Sequence, residues 1–270
     1  MNMIKAFFGW DDPRTPEAFF SWQHLLYVGI HLLIAFSLAV ILGLRDRNKP
    51  DDQRRKVIRI GAVAMIVLEA VKIIVTEVRC CVLDGDAGHI RSMLPLWLCS
   101  TQLIMIPLAA FNKGRIGKAA ADFVAIFGLV GCIGGTVLAS NYFGRMPVLR
   151  FEIVDSVATH SMSGFCALYL LITGGAELKW KNTPAVALYL ALFMLLSLAA
   201  NAWNAGTPYQ ANYMFLQNDG GTPFSLCTAA SGGSQTLYTF FTMLLHFLCI
   251  AAYMGVVILI RKLRGKKTSG

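Results

Sequence analysis

Apolar residues run through this chain in long blocks separated by short polar stretches. A helix needs about 20 apolar residues to cross the roughly 30 Å hydrocarbon core of a bilayer, and the chain offers seven such blocks, at about 22–44, 60–83, 94–111, 119–140, 156–173, 185–202 and 235–260. None of them alternates apolar and polar residues as a membrane strand does, and in lipid only helices and closed barrels satisfy their own backbone groups. The pattern predicts an all-α, polytopic membrane protein with a bundle of seven transmembrane helices. It divides the chain into an outer N-terminal segment (1–21), a transmembrane domain (22–260) with a long outer loop (203–234), and a basic tail (261–270). The first block is full length and follows the mixed stretch Asp11-Asp12-Pro13-Arg14. It is therefore expected to stay as a span and not to be cleaved as a signal peptide.

Composition agrees with this reading. The 270 residues are 56% hydrophobic and 14% charged, against roughly 25% charged in soluble domains. The net charge of +9 would point to nucleic acid in a soluble protein, but here the cations sort by loop. The 45–59, 112–118 and 179–181 stretches and the tail hold 17 of the 24 Lys and Arg; the opposite loops hold six, and Lys72 lies within a span. Cytoplasmic loops accumulate such cations, so the N-terminus is expected outside and the C-terminus in the cytoplasm, with no nucleic-acid partner. A bacterial chain of this kind would sit in the cell membrane. The 203–234 loop has no Lys or Arg and is rich in Gly, Asn and aromatics, a composition suited to a lid over the membrane face.

Ionisable groups inside a span are functional candidates by default. Glu69 and Lys72 lie near the middle of the second block and are spaced to pair on one helix face; Glu77 lies near its outer end. Taking about 1.5 Å of rise per residue, Cys99 falls roughly 8 Å below the outer surface with Gln102 one turn deeper, and His160 falls at roughly 7 Å. A thiol and an imidazole at one level can form a nucleophile and its base. Asn201 and Asn204 approach the same surface, so a Cys-His-Asn set is geometrically allowed. Cys132, Cys166 and Cys249 read as small apolar packing residues, and His31 and His246 as packing histidines near the membrane middle. His24, at the outer edge, and His89, in an outer loop, are weaker candidates. Cys80, Cys81 and Cys227 face the outer side, where a disulfide to the long loop is allowed. The seven cysteines and five histidines show no metal-ligand spacing, and no phosphate-binding glycine loop is present, so no metal or other cofactor is expected.

The run Leu94-Pro95-Leu96-Trp97-Leu98-Cys99 resembles the Leu-Pro-Leu-x-Leu-Cys signature of the YwaF-type bacterial integral membrane proteins, related to the transmembrane protein 164 acyltransferases. His160 and the stretch Ala211-Asn212-Tyr213-Met214-Phe215-Leu216 are similar to two further elements of that family. The resemblance covers nearly the whole chain. It implies cysteine-dependent acyl transfer on membrane phospholipids, with Cys99 as nucleophile and His160 as base. Trp97 departs from the pattern, standing where many relatives have His, and this removes a second titratable group beside Cys99.

On this reading the catalytic candidates are Cys99, His160 and Asn201, and the substrate-binding candidates are Lys72, Glu77, Gln102, Arg145, Arg150 and Tyr213. Arg79 shares the interface with the two arginines and could also hold a lipid phosphate. The same polar residues leave a carrier or channel open, with Glu69, Lys72 and His246 as its site. A receptor or an assembly protein without chemistry is also compatible with seven helices, although the last block lacks the lysine that retinal attachment needs.

Overall fold

The computed structural model describes residues 3–86, 88–140 and 142–267, so the end of the expected basic tail lies outside it, as do the side chains from 264 onward. Its helices are α1 (Met3–Phe7), α2 (Trp22–Asp46), α3 (Asp51–Leu83), α4 (Gln102–Phe111), α5 (Arg115–Val137), α6 (Phe151–Thr173), α7 (Thr183–Trp203), α8 (Ser225–Ala230) and α9 (Gln235–Lys267). Five helical segments are long and apolar enough to cross a membrane: Trp22–Asp46, Arg115–Val137, Phe151–Thr173, Trp180–Trp203 and Gln235–Leu263.

The other two expected spans differ, each for a local reason. α3 has 33 residues, but Glu69, Lys72 and Glu77 interrupt its apolar run. The 94–111 block becomes helical at Gln102, so α4 has 10 residues and Cys99 sits in a non-helical lead-in. Pro95 has no N–H to donate and drives the residue before it out of the helical region. Irregular backbone at membrane depth is tolerated where protein covers it. Here Ser197 Oγ donates to the Leu96 carbonyl at 3.2 Å, and Leu94 N–H donates to the Tyr213 hydroxyl at 3.0 Å.

α5 is the central helix and packs most extensively on α6, while α2 lies on the far face of α6 and α4 lies between α3 and α5. Close approach follows from small residues on α5. A Cβ on Gly128 would lie 3.1 Å from the Ser163 carbonyl oxygen of α6, and small residues of this kind let membrane helices come together. α2 and α9 instead turn large apolar side chains outward, among them Leu33, Ile41, Phe240 and Leu248, as a lipid-facing surface requires. His24, at the start of α2, joins helices: it is fully buried, accepts from Phe20 N–H at 3.2 Å, donates to the Thr136 carbonyl at 2.9 Å and stacks on Phe143. His31 Nδ1 engages the Tyr27 carbonyl of its own helix.

The end of the bundle that carries the basic loops is closed by polar contacts. Asp122 accepts from Leu178 N–H and from the Asn182 amide, both at 2.9 Å. Glu177 pairs with Lys118 at 2.7 Å and with Lys179 at 2.8 Å, and these two ammonium groups pull its carboxyl from 4.5 down to about 2. A carboxyl depressed on folding adds stability that is present above its unfolded value and lost as the pH falls toward its folded value. Thermal unfolding of the wild type should therefore lose stability between about pH 5 and pH 2 in part through this group, and Glu177→Gln should flatten that part of the profile.

Candidate functional site

The opposite end of the bundle gathers the residues on which the sequence placed chemistry. The lead-in segment is clamped from two sides before it reaches Cys99. From α7, Asn201 holds the backbone of Tyr213 at two points, its Oδ1 accepting from Tyr213 N–H at 2.9 Å and its Nδ2 donating to the Tyr213 carbonyl at 3.2 Å. The Tyr213 hydroxyl accepts from Leu94 N–H and donates to the Arg91 carbonyl at 2.9 Å. The Trp97 ring lies 5.6 Å from that of Tyr213 and 5.2 Å from that of Phe215. The Leu94–Cys99 run and the 211–216 stretch, more than a hundred residues apart in sequence, are thus one packed unit.

Strain in the 211–216 stretch is held by further bonds. Met214 and Phe215 adopt φ values of 52° and 55°, a region that non-glycine residues occupy only when their surroundings fix them. Tyr238 Oη donates to the Phe215 carbonyl at 2.7 Å and Thr239 Oγ1 to the Leu216 carbonyl at 2.9 Å, which ties the stretch to α9. At the rim, Tyr209 donates to Asp86, and the Arg91 guanidinium lies 5.2 Å from the Trp203 ring.

Beneath this cover Cys99 meets His160. The two side chains act on each other electrostatically and rest against α5 one turn apart, Cys99 at Gly131 and His160 at Gly135. His160 Nδ1 lies 2.6 Å from the carbonyl of Ser156, one turn back on α6. A carbonyl only accepts, so Nδ1 carries the proton and Nε2 of the neutral ring presents a lone pair. Nε2 is buried and has no hydrogen-bond partner among the described residues. α5 supplies the floor. Gly131 abuts the backbone of Cys99, where a Cβ would sit 3.5 Å from its Cα and Cβ, whereas a Cβ on Gly135 would fall inside the His160 ring.

Further charges surround the pair. Lys72 and Glu69 pair with each other at 2.5 Å on α3. Both act electrostatically on Asp155 of α6, and Lys72 also acts on His160. Asp155 is buried with one carboxyl oxygen unpartnered, and Tyr142 feels both Cys99 and Asp155. Lys72, first read as the centre of a competing carrier site, thus lies in the same neighbourhood as Cys99 and His160. His246 is elsewhere: its Nδ1 engages the Thr242 carbonyl at 2.7 Å and its ring stacks on Phe224. Among the described residues no hydrogen bond or ion pair joins it to Glu69 or Lys72.

Other candidates are engaged differently from the sequence expectation. Asn201 does not complete a Cys-His-Asn set, because both of its polar atoms hold Tyr213. Arg79 and Arg150 both pair with Glu152. Arg145, on the turn after Tyr142, is exposed and has no acidic partner among the described residues. Glu77 faces His89 at 3.7 Å. All seven cysteines are free, so Cys80, Cys81 and Cys227 form no disulfide. Gln102 is fully buried beside Cys99. The described residues contain no cluster of three or more His, Cys, Asp or Glu able to hold a metal ion. Sequence reasoning missed Asp155, Tyr142 and the glycine floor; of these, the Gly131-x-x-x-Gly135 spacing was a readable sign of a close helix contact.

The model of the TMEM164 family matches residues 19–256, a stretch that contains every one of these groups. The chain belongs to the TMEM164 family. No curated protein and no solved structure matches it. Membership of the TMEM164 family and five apolar helices together make this an integral, multi-pass membrane protein.

Proposed function

We propose that this TMEM164-family protein is a membrane-embedded, cysteine-dependent acyltransferase or transacylase that acts on phospholipids near the outer leaflet. The observation that carries the reading is the arrangement of His160: its Nδ1 is fixed on the Ser156 carbonyl, its buried Nε2 is unpartnered, and the ring acts electrostatically on Cys99. Such a ring takes the thiol proton and returns it to a leaving oxygen. The Cys99 thiolate attacks an ester carbonyl of the donor lipid, forming the C–S bond. The C–O bond then breaks, and the departing alkoxide takes the proton from the His160 imidazolium, leaving a lysophospholipid and a Cys99 thioester. An acceptor hydroxyl next gives its proton to His160 and attacks the thioester, which restores the thiol and releases the acylated product.

The donor follows from location. The pair lies at the end of the bundle opposite the basic loops, which the distribution of Lys and Arg places outside the cytoplasm. A polyanionic, cytosolic acyl-CoA is poorly placed to reach it, whereas a phospholipid in that leaflet is adjacent. Lys72, which acts electrostatically on His160, and Arg145, exposed and without an acidic partner among the described residues, are the cations assigned to a lipid phosphate.

Intact-protein mass spectrometry after incubation with phospholipid tests the reading. Wild type should carry a hydroxylamine-labile acyl adduct, and Cys99→Ala should carry none. Absence of an adduct on both, with equal labelling by a lipid-reactive thiol probe, would return Cys99 to a packing role.

A further inference from the structure

The side chain of Gln102 is fully buried, yet neither its Oε1 nor its Nε2 has a hydrogen-bond partner. Leaving such a group unsatisfied costs about 1–3 kcal/mol, and buried amides in folded proteins nearly always find partners. Gln102 stands where an incoming group could supply one. The backbone coils from the lead-in into α4 through Thr101 N–H to the Trp97 carbonyl at 2.9 Å and Gln102 N–H to the Cys99 carbonyl at 3.2 Å. Residues three apart on such a coil share a side, which puts the Gln102 amide on the side of the Cys99 thiol. A second donor is at hand, since the Ser100 backbone N–H, in the non-helical turn that follows Cys99, has no backbone acceptor among the described residues.

We infer that the Gln102 side-chain amide and the Ser100 backbone N–H are the donors that hold the oxyanion formed when Cys99 attacks an ester. The inference rests on the acyl-transfer reading above. As the C–S bond forms, the carbonyl electron pair moves onto the oxygen, and Gln102 Nε2–H and Ser100 N–H donate to it. When the pair returns and the ester C–O bond breaks, His160 protonates the leaving alkoxide. The same two donors serve the second tetrahedral adduct, from which the thiolate leaves. Held donors of this kind act where the charge develops and need no reorganisation at the moment of reaction. The unsatisfied amide of the resting protein is thus a catalytic group without its ligand.

The test uses full-length protein in phospholipid nanodiscs with a fluorescent-acyl phosphatidylcholine as donor, and follows the hydroxylamine-labile adduct on Cys99. Gln102→Met keeps the length of the side chain and removes the donor. It is expected to slow adduct formation about 100- to 1000-fold, with the rate of Cys99 alkylation by a small thiol reagent unchanged and the melting temperature unchanged or raised. Gln102→Asn keeps an amide set back by one methylene and is expected to retain part of the rate. Adduct formation at the wild-type rate in Gln102→Met would overturn the inference, as would a parallel fall of melting temperature and activity in both variants, the mark of a packing role. Failure of the wild type itself to form an adduct would instead overturn the acyl-transfer reading on which it rests.

Discussion

Gly135→Ala should nearly abolish acyl transfer while Gly131→Ala leaves most of it. Both glycines lie on α5 one turn apart and both touch the reacting pair, but they meet it differently. At Gly131 an added methyl group lies 3.5 Å from Cys99, an ordinary van der Waals separation. At Gly135 the methyl would lie 2.0 Å from Nε2 and 2.1 Å from Cδ2 of His160, so the ring must turn away or α5 must move. α5 is held against α6 by Gly128 and Ala167 two turns earlier, which leaves the ring as the part that moves. Turning it breaks the Nδ1 contact with Ser156 and displaces Nε2. A displacement of about 1 Å in a reacting group is enough for a loss of about 100-fold, and forcing a methyl into a packed site costs roughly 1–3 kcal/mol of stability. The measurement is the rate of thioester formation on Cys99 in the two variants, with melting temperature as the companion readout. Full activity in Gly135→Ala would show that the ring does not bear on α5.

How far the sequence carried this site depends on which dimension is considered. Cys99 and His160 were expected at one level by counting helical rise; the two lie in one neighbourhood, although Cys99 sits in a non-helical lead-in to which that rise does not apply. Lateral position was not legible. Asn201 lies at a suitable depth but faces Tyr213, and this depends on how the 211–216 stretch folds back, which no local pattern encodes. Arg79 and Arg150 were read as free cations for a phosphate; they converge on Glu152 through contacts between α3, the N-terminal side of the bundle and α6. Hydropathy located five apolar helices correctly but misjudged the lead-in at 94–101. It counts apolar residues and is blind to the effect of Pro95 on the backbone and to the clamps from Ser197 and Tyr213 that replace the missing helical bonds. That departure matters for function. A continuous helix through Cys99 would use the Ser100 N–H in its own ladder, whereas the non-helical lead-in leaves it without a backbone acceptor among the described residues.

His160→Gln should separate the two halves of the reaction. Glutamine keeps a hydrogen-bonding side chain of similar reach but does not take up and release a proton, and removal of such a general acid–base costs about 100- to 10,000-fold. With a natural phospholipid donor both halves suffer. The first lacks both the base that ionises the Cys99 thiol and the acid for the leaving alkoxide, and the second lacks a base for the acceptor hydroxyl. An activated ester such as a p-nitrophenyl acyl ester changes the first half alone, because its phenolate departs without protonation. Measured at about pH 9, where a share of the thiol ionises without the ring, the variant should then form the Cys99 thioester at an appreciable rate and be unable to pass it on, so the adduct accumulates toward one acyl group per protein while wild type turns over and shows little at steady state. The contrast is read by intact mass at successive times, with hydroxylamine release confirming the thioester. Equal turnover of the activated ester by the variant and wild type would remove His160 from proton transfer. An adduct that persists in the variant and clears in wild type would assign the deprotonation of the acceptor to this ring, the task for which its Nδ1 contact with Ser156 prepares it.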